Sequence, residues 1–244
     1  MRNEITGRGS RQRLSLVTAG ETGRVTSISP QLPGDSPEAE ICEVRSSADR
    51  EALQRFRHRI TVLDMNRPRF ELGYQTSVRD DNLKTGSVQL IASSQSEIVG
   101  TVQINYAFAR DLGIDADFYR MREFAGADHP DHTCIISRLL VAPDWRGGAL
   151  GRNLCMAAYR HALGQNARTA FLRCNDPLVY YFSALGFKPY IGKARHAQCG
   201  EVVPMMLELQ DEKYLAAVKS PFVAALRSWK RARAPEVRVV PKSR

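Results

Sequence analysis

The pattern of apolar and polar positions predicts short strands separated by turns and helices. In the stretches SVQLIASS (87–94) and EIVGTVQINYA (97–107) apolar positions are frequent and the connection is tight, which predicts a β-hairpin. The segment HTCIISRLLVA (132–142) is a nearly continuous apolar run, as expected for a buried central strand. Further strands are predicted at ICEV (41–44), TAFLRC (169–174) and VVPMMLEL (202–209).

One amphipathic helix is predicted near the start of the folded part. In EALQRFRHRITVL the residues Leu53, Phe56, Ile60 and Leu63 recur at helical spacing, so we expect them to form its buried face. The preceding residues 46–49 (SSAD) are of the types that cap a helix N-terminus.

Two further helices are predicted in the second half of the chain. One covers 151–163 and closes at Gly164, and the other covers PLVYYFSAL (177–185) and stops at Gly186. The helix over 151–163 connects strand 132–142 to strand 169–174, so we expect these two strands to be parallel. The elements together predict a single α/β (α+β) domain.

Composition divides the chain into three parts. Residues 1–38 are rich in Gly, Ser, Thr and Arg and show no sustained period, which predicts a flexible N-terminal arm. Residues 39–219 carry the predicted elements and form the expected domain, and 244 residues suit one domain plus tails. Residues 220–244 hold seven Lys or Arg residues against one Glu, and 221–234 could form a basic amphipathic helix followed by a tail.

Other classes of protein are disfavoured. No stretch approaches the roughly 20 apolar residues of a membrane-spanning helix, and the start of the chain lacks the apolar run of a signal peptide. The five cysteines show no CxxC pairing, so neither a disulfide framework nor a metal site is expected. We therefore expect a cytoplasmic protein.

The segment between the predicted central strand and the following helix combines small and basic residues. Small residues let an anion approach the backbone, where unpaired N–H groups and the helix dipole attract negative charge. The alternative is an ordinary strand-to-helix turn whose glycines serve geometry alone. The candidate phosphate-binding residues are Arg146, Gly147, Gly148, Ala149, Leu150, Gly151 and Arg152.

This loop resembles the phosphate loop of the GNAT superfamily, Arg/Gln-x-x-Gly-x-Gly/Ala, with Ala149 in place of the first glycine. A second motif also resembles the family, since Asn175 follows a strand and YYFSALGF (180–187) comes next. The resemblance implies a mixed, mostly antiparallel sheet flanked by helices, with splayed parallel central strands, and acyl transfer from a thioester. It also implies that backbone groups of Leu139, Leu140 and Val141 hold the donor, together with the loop and Asn175.

A narrower resemblance links roughly residues 41–221 to the N-acyl amino acid synthases, relatives of the acyl-homoserine-lactone synthases. It is carried by the order of VRSSADREALQRFRHRITV, Asp81, SVQLIA, EIVGTVQ, SRLLV and VVPMMLEL. It implies an acyl-phosphopantetheine thioester as co-substrate, on acyl carrier protein or coenzyme A, and no permanently bound cofactor. The implied acceptor is an amino acid or a related small amine. The chain departs from these relatives at three acceptor-side positions, Lys84, Gln89 and Gln103.

The residues that carry the chemistry are less clearly marked. The register of the second motif puts Phe182 where the family has a tyrosine that protonates the leaving thiolate, so Tyr181 or Tyr180 would be the substitute. Adjacent helix positions point about 100° apart, so ordinary core packing is the alternative for Tyr181. The central strand carries no acid at 134–136, so the candidates to accept the proton of the amine are water, Asp131 and His132. Arg138, a charge inside an apolar strand, needs a ligand or an internal partner such as Asp81.

Two other functions fit the same residues. One is an acetyl-CoA-dependent N-acetyltransferase, which differs from a synthase in the length of the transferred acyl chain. The other is a catalytically weak binding module whose basic tail contacts nucleic acid or an anionic membrane. For that tail a solvated charged face is the simpler interpretation, so nucleic acid is not an expected partner, while peripheral membrane contact stays open.

Overall fold

The computed structural model describes residues 38–64, 86–197 and 199–233. Its strands are β1 Glu40–Glu43, β2 Ser87–Ser94, β3 Glu97–Tyr106, β4 Thr133–Val141, β5 Thr169–Cys174, β6 Lys188–Pro189, β7 Ala194–His196 and β8 Gly200–Glu208. Its α-helices are α1 Ser47–His58, α2 Ile114–Phe118, α3 Met121–Ala125, α4 Leu150–Gly164, α5 Val179–Leu185, α6 Glu212–Ala217 and α7 Phe222–Arg233. The predicted arm at 1–38 lies almost wholly outside the described residues.

The strands form one mixed sheet in the order β1-β2-β3-β4-β5-β8-β6, with β7 paired to β8. Every described pairing is antiparallel except β4 with β5. The predicted α/β class, the mostly antiparallel sheet and the parallel central pair are therefore confirmed. Helices α2, α3 and α6 and the short strands β6 and β7 were not predicted.

Helix α1 begins where the capping residues predicted it. Ser46 Oγ accepts a hydrogen bond from the Asp49 amide at 3.0 Å, and the Asp49 carboxylate accepts one from the Ser46 amide at 3.2 Å, which is a capping box. Leu53, Phe56 and Ile60 are buried as predicted. Beyond His58 the chain continues as a π-helical turn over Arg59–Asp64. Leu63, the fourth residue of the predicted buried face, has a side chain that the structure does not describe.

The alternation of side chains along β3 separates two faces of the sheet. A Cβ added at Gly100 would lie 2.8 Å from Leu154 of α4, so the even positions of β3 face that helix. The odd position Gln103 accepts a hydrogen bond from Arg57 of α1 at 3.2 Å. We call the two sides the α4 face and the α1 face.

Helices α2 and α3 share the α1 face with α1. Tyr119 and Met121 are buried against Ile135 of β4 and Phe171 of β5. Ile135 is the partner of Asn105, an odd position of β3, which fixes the side of the sheet on which this small core lies.

The basic segment near the C-terminus contains a helix that packs on the domain. Phe222 of α7 stacks on Tyr159 of α4 with ring centroids 4.2 Å apart, and Trp229 is partly buried against the main core. Arg227 and Lys230 both bind Glu212 of α6, at 2.8 and 2.9 Å. Across the described ranges, no helix has the length and apolar character needed to cross a membrane.

Candidate active site

The two parallel strands separate towards one end of the sheet. β4 and β5 pair only over 133–135 with 169–171, whereas β3 stays paired with β4 as far as Val141. From Ile136 to Val141 one edge of β4 therefore pairs with none of the described strands and faces a gap. Backbone N–H and C=O groups on such an edge are available to a ligand. The predicted splay of the central strands is confirmed.

A β-bulge in β4 lies beside this gap. Gln103 of β3 pairs with Ser137 and Thr101 pairs with Leu140, so β4 holds one more residue than β3 between these pairs. The extra length is taken up at Arg138, which has a φ of 53° in the left-handed region. The bulge re-aims the backbone of Leu139 and the residues after it. Arg138 is half-buried, and its predicted partner Asp81 lies outside the described residues.

The Gly-rich loop ends at the N-terminus of α4. Ala149 is the N-cap residue and makes no side-chain cap, and the first intrahelical bond runs from the Asn153 amide to the Ala149 carbonyl at 2.9 Å. The amide groups that precede Asn153 in this turn therefore have no acceptor within the helix. Among the described residues, only the Trp145 carbonyl lies within 4 Å of a Cβ added at Gly148, and nothing does at Gly147. This geometry suits an anion.

Arg146 connects the loop to the gap. Its Nε donates a hydrogen bond to the Val141 carbonyl at 3.0 Å. The next residue, Ala142, donates its amide to Val99 of β3 at 2.9 Å, so by alternation Val141 points its carbonyl away from β3 and towards the gap. The guanidinium thus lies at the mouth of the gap. Arg152 is exposed in the first turn of α4.

Tyr181 reaches the α4 face of the gap. Its hydroxyl lies 4.0 Å from the Cys155 sulfur and 3.2 Å from the position of a Cβ added at Gly151. The same added Cβ would lie 3.8 Å from Val141 Cγ2, so the hydroxyl, the helix N-terminus and β4 meet at one point. Burial raises the pKa of Tyr181, with the neighbouring Cys155 acting in the same direction, so the phenol is protonated at neutral pH.

Phe182, at the position where the resemblance to GNAT proteins implies a tyrosine, lies in the core. It is 7% exposed and its ring is 6.0 Å from that of Phe187, in an edge-to-face arrangement. Adjacent positions on a helix point about 100° apart, which is why one of the two aromatic residues faces the core and the other the gap.

The other predicted site residues divide between the gap and distant places. Asn175 follows β5 on the opposite wall of the gap and is exposed, and its backbone carbonyl accepts a hydrogen bond from the Leu178 amide at 2.9 Å. His132 precedes β4 at its far end, where Nδ1 lies 3.0 Å from the Asn166 carbonyl oxygen. A strand rises about 3.3 Å per residue, so His132 is more than about 20 Å from Val141. The structure does not bring His132 to the gap.

A polar network, of which the sequence singled out only Gln103, lies on the α1 face beside the bulge. Gln103 donates to Ser87 and to Asn105, both at 2.9 Å, and Asn105 is 3.4 Å from the Ser137 hydroxyl. Arg57 completes it from α1. Polar residues in strands that are otherwise apolar are the signal that could have identified it.

A second polar group on the same face was also missed. Arg173 of β5 donates from Nη1 to Asp115 Oδ1 at 3.3 Å and to the Tyr119 hydroxyl at 3.1 Å. His196 Nε2 lies 3.3 Å from the same Asp115 oxygen. Burial lowers the pKa of His196 and the charge of Arg173 lowers it further, so the imidazole is neutral at pH 7.

Comparison with known families gives a match to this region. The sequence model of the family described as "Acetyltransferase (GNAT) family" matches residues 54–187, more than half of the chain. No curated protein gives a sequence match.

Solved structures share the fold at low sequence identity. FeeM, an N-acyl amino acid synthase from uncultured soil microbes, is 12% identical with a TM-score of 0.61, over 78% of this chain and 98% of that one. BjaI, a CoA-dependent acyl-homoserine lactone synthase determined with MTA, is 17% identical with a TM-score of 0.53, over 76% and 93%. Escherichia coli ElaA is 18% identical with a TM-score of 0.52, over 70% and 99%.

Proposed function

Because the chain belongs to the acetyltransferase (GNAT) family, and so is an N-acyltransferase, we propose that it acylates the amine of an amino acid or related small amine. The donor in this proposal is an acyl-phosphopantetheine thioester, and transfer is direct. The observation that carries the proposal is the gap between β4 and β5, which opens at an uncapped helix N-terminus with a phenol beside it.

The donor is held by the loop and the open edge of β4. The amide groups at the start of α4, with Arg146 and Arg152, bind its phosphates. The backbone of 139–141 binds the pantetheine arm along the edge of β4 that β5 leaves unpaired. An N–H group of this edge polarises the thioester carbonyl. The contribution of the backbone does not depend on the identity of these side chains.

Tyr181 acts as the general acid. When the amine nitrogen attacks the acyl carbon, the C–S bond breaks and the sulfur takes the electron pair. Tyr181, which keeps its proton at neutral pH, lies on the α4 face of the gap and donates that proton to the sulfur. The side chains that the sequence offered as the base, Asp131 and His132, precede β4 at the end away from the gap.

The type of donor is proposed from two structural relatives. FeeM is described as an N-acyl amino acid synthase, and BjaI as CoA-dependent, with one structure (TM-score 0.50) containing isopentyl-CoA. The exposed Arg146 and Arg152 also suit an acidic acyl carrier protein, because opposite charge accelerates encounter and sets orientation. An acetyl-CoA-dependent activity and a cytoplasmic location stay predictions.

The binding-module alternative receives less support from α7. Two of its basic side chains, Arg227 and Lys230, are paired with Glu212 inside the domain, and Trp229 packs against the core. A helix used in this way has less charge and less apolar surface to offer a nucleic acid or a membrane.

The test is turnover with a series of thioesters. Acetyl, octanoyl and palmitoyl groups on coenzyme A and on acyl carrier protein are incubated with the protein and pooled amino acids and amines, and products are identified by mass spectrometry. We expect N-acylated product that Arg146→Ala reduces and that the exposed α7 variant Arg231→Ala does not. No product with any donor would contradict the proposal.

A further inference from the structure

Arg173 flanks the gap on its α1 face. Arg173 lies two residues after Phe171 and therefore on the same side of β5. Phe171 is the last β5 residue paired with β4. The partner of Phe171 is Ile135, and Ser137 lies two residues after Ile135 on the same side of β4. Arg173 and Ser137 therefore stand on opposite sides of the opening, on the face away from α4 and Tyr181.

Arg173 and Asp115 form a fixed but open ion pair. Their side chains are 18% and 43% exposed, so the pair is accessible from solvent. Both described bonds to the Asp115 carboxylate, from Arg173 and from His196, end on Oδ1. Within the described ranges Oδ2 has no hydrogen-bond donor. The guanidinium carries more N–H groups than its partners Asp115, Tyr119 and Cys199 use.

We infer that Arg173 and Asp115 form the acceptor subsite and recognise the zwitterion of an α-amino acid; this rests on the proposed acyl transfer. A guanidinium binds a carboxylate with two parallel hydrogen bonds, and a carboxylate binds an ammonium group. Opposite charges only 3.3 Å apart at Nη1 and Oδ1 match the short separation of the two charged groups in an α-amino acid.

The subsite also completes the proton balance of the reaction. Asp115 accepts one proton from the ammonium group and passes it to water, which leaves a neutral amine. The nitrogen then bonds to the acyl carbon, the C–S bond breaks, and the nitrogen loses a second proton to solvent. The sulfur gains a proton from Tyr181, which is reprotonated by solvent, so the net reaction releases one proton. Acceptor and acid act from opposite faces of the gap.

The first experiment compares amino acids with the amines that remain when the carboxylate is removed. L-Leucine is paired with 3-methylbutylamine and L-phenylalanine with phenethylamine, at saturating acyl-CoA. For Arg173→Met we expect KM for the amino acids to rise by about 10- to 100-fold, the range for one charge-assisted interaction, with KM for the amines unchanged. Asp115→Asn should lower kcat/KM for both kinds of acceptor.

The matched control is Arg168→Met, which removes another arginine beside β5 that is also paired with an aspartate, Asp128, at 2.8 Å. It should behave as wild type. Coenzyme A is tested for a retained thermal shift in each variant, because a variant that still binds the donor is folded. Equal loss with amino acids and amines, or no loss with either, would overturn the assignment.

Direct binding separates this assignment from the proposed function. Titration calorimetry with the same amino acids, in the presence of coenzyme A and without an acyl group, needs no turnover. Amino-acid binding that Arg173→Met abolishes supports the subsite even if no donor is turned over, in which case only the proposed reaction fails. If wild type and Arg173→Met acylate amino acids with equal KM, the assignment of the subsite is contradicted and the proposed reaction is not.

Discussion

The position of the Tyr181 hydroxyl suits it to the proposed role of general acid, and the positions of its neighbours do not. It lies at the gap beside Gly151, whereas the adjacent Tyr180 is 86% exposed and Phe182 is in the core. Three aromatic residues in a row thus have three environments, and only one of them lies beside the proposed thioester sulfur.

Replacing Tyr181 with phenylalanine should lower kcat by about 100-fold or more, the usual contribution of a general acid. KM for the donor should change little, because the proposed contacts to the phosphates and the pantetheine arm lie elsewhere. Steady-state kinetics with a coenzyme A thioester measure both, and Tyr180→Phe is the matched control. A Tyr181→Phe enzyme with wild-type kcat would remove the tyrosine from the mechanism.

Gly151 should be sensitive to the smallest enlargement. The methyl group of Gly151→Ala would lie 3.2 Å from the Tyr181 hydroxyl, so the ring must shift and kcat should fall about 10-fold. In the Tyr181→Phe background that contact is absent, so the same substitution should have little further effect. Additive losses in this double-mutant cycle would show that Gly151 acts independently of the tyrosine.

At the scale of elements, the bulge in β4 depends on an unfavourable backbone conformation. Arg138 has a φ of 53°, which costs a residue with a Cβ about 1–2 kcal/mol and costs glycine almost nothing. The sheet accepts this cost because Gln103 and Thr101 of β3 pair on either side of the bulge. The backbone beside the gap is thereby set at one angle.

The pair of variants Arg138→Gly and Arg138→Val isolates this backbone cost, because both lose the same guanidinium. We expect the glycine variant to have the larger free energy of unfolding by about 1–2 kcal/mol, since a β-branched residue is poorly tolerated at positive φ. Urea denaturation followed by circular dichroism measures the difference. Equal midpoints and slopes would mean that the bulge rearranges in the valine variant.

At the scale of the whole molecule, three histidines link stability to pH. His161 lies 2.6 Å from the Tyr106 hydroxyl, His129 lies 2.9 Å from Thr133 Oγ1, and His196 lies beside Asp115. Burial lowers the pKa of each of them, with Arg122 adding to the effect at His129 and Arg173 at His196.

Stability should therefore fall on mild acidification. Below the unfolded pKa of about 6.5 the unfolded chain binds protons that the folded protein does not, so the free energy of unfolding decreases as pH falls. We expect the melting temperature to decline steadily from pH 7.5 to pH 5, and His161→Gln to make the decline shallower. His58→Gln is the comparison variant. A melting temperature independent of pH over this range would contradict the prediction.

Much of the fold followed from local patterns. The strands at 87–94 and 169–174 have the predicted bounds, and α4 begins one residue before the prediction and ends one residue after it. Helices α2 and α3 were missed because each has only five residues, too few for a hydrophobic period to be visible. Between them Arg120 takes a left-handed conformation that no local residue type signals.

The amino-acid sequence by itself determined the strand–loop–helix order, the Gly-rich loop and the family, because glycines, caps and periodicity act over a few residues. The tertiary structure decided what depends on distant pairing. The register of β4 against β5 sets where the gap opens, and the rotation of α5 puts Tyr181 at the gap and Phe182 in the core. Arg173 and Asp115 are 58 positions apart, and only the packing of α2 on the sheet makes them partners.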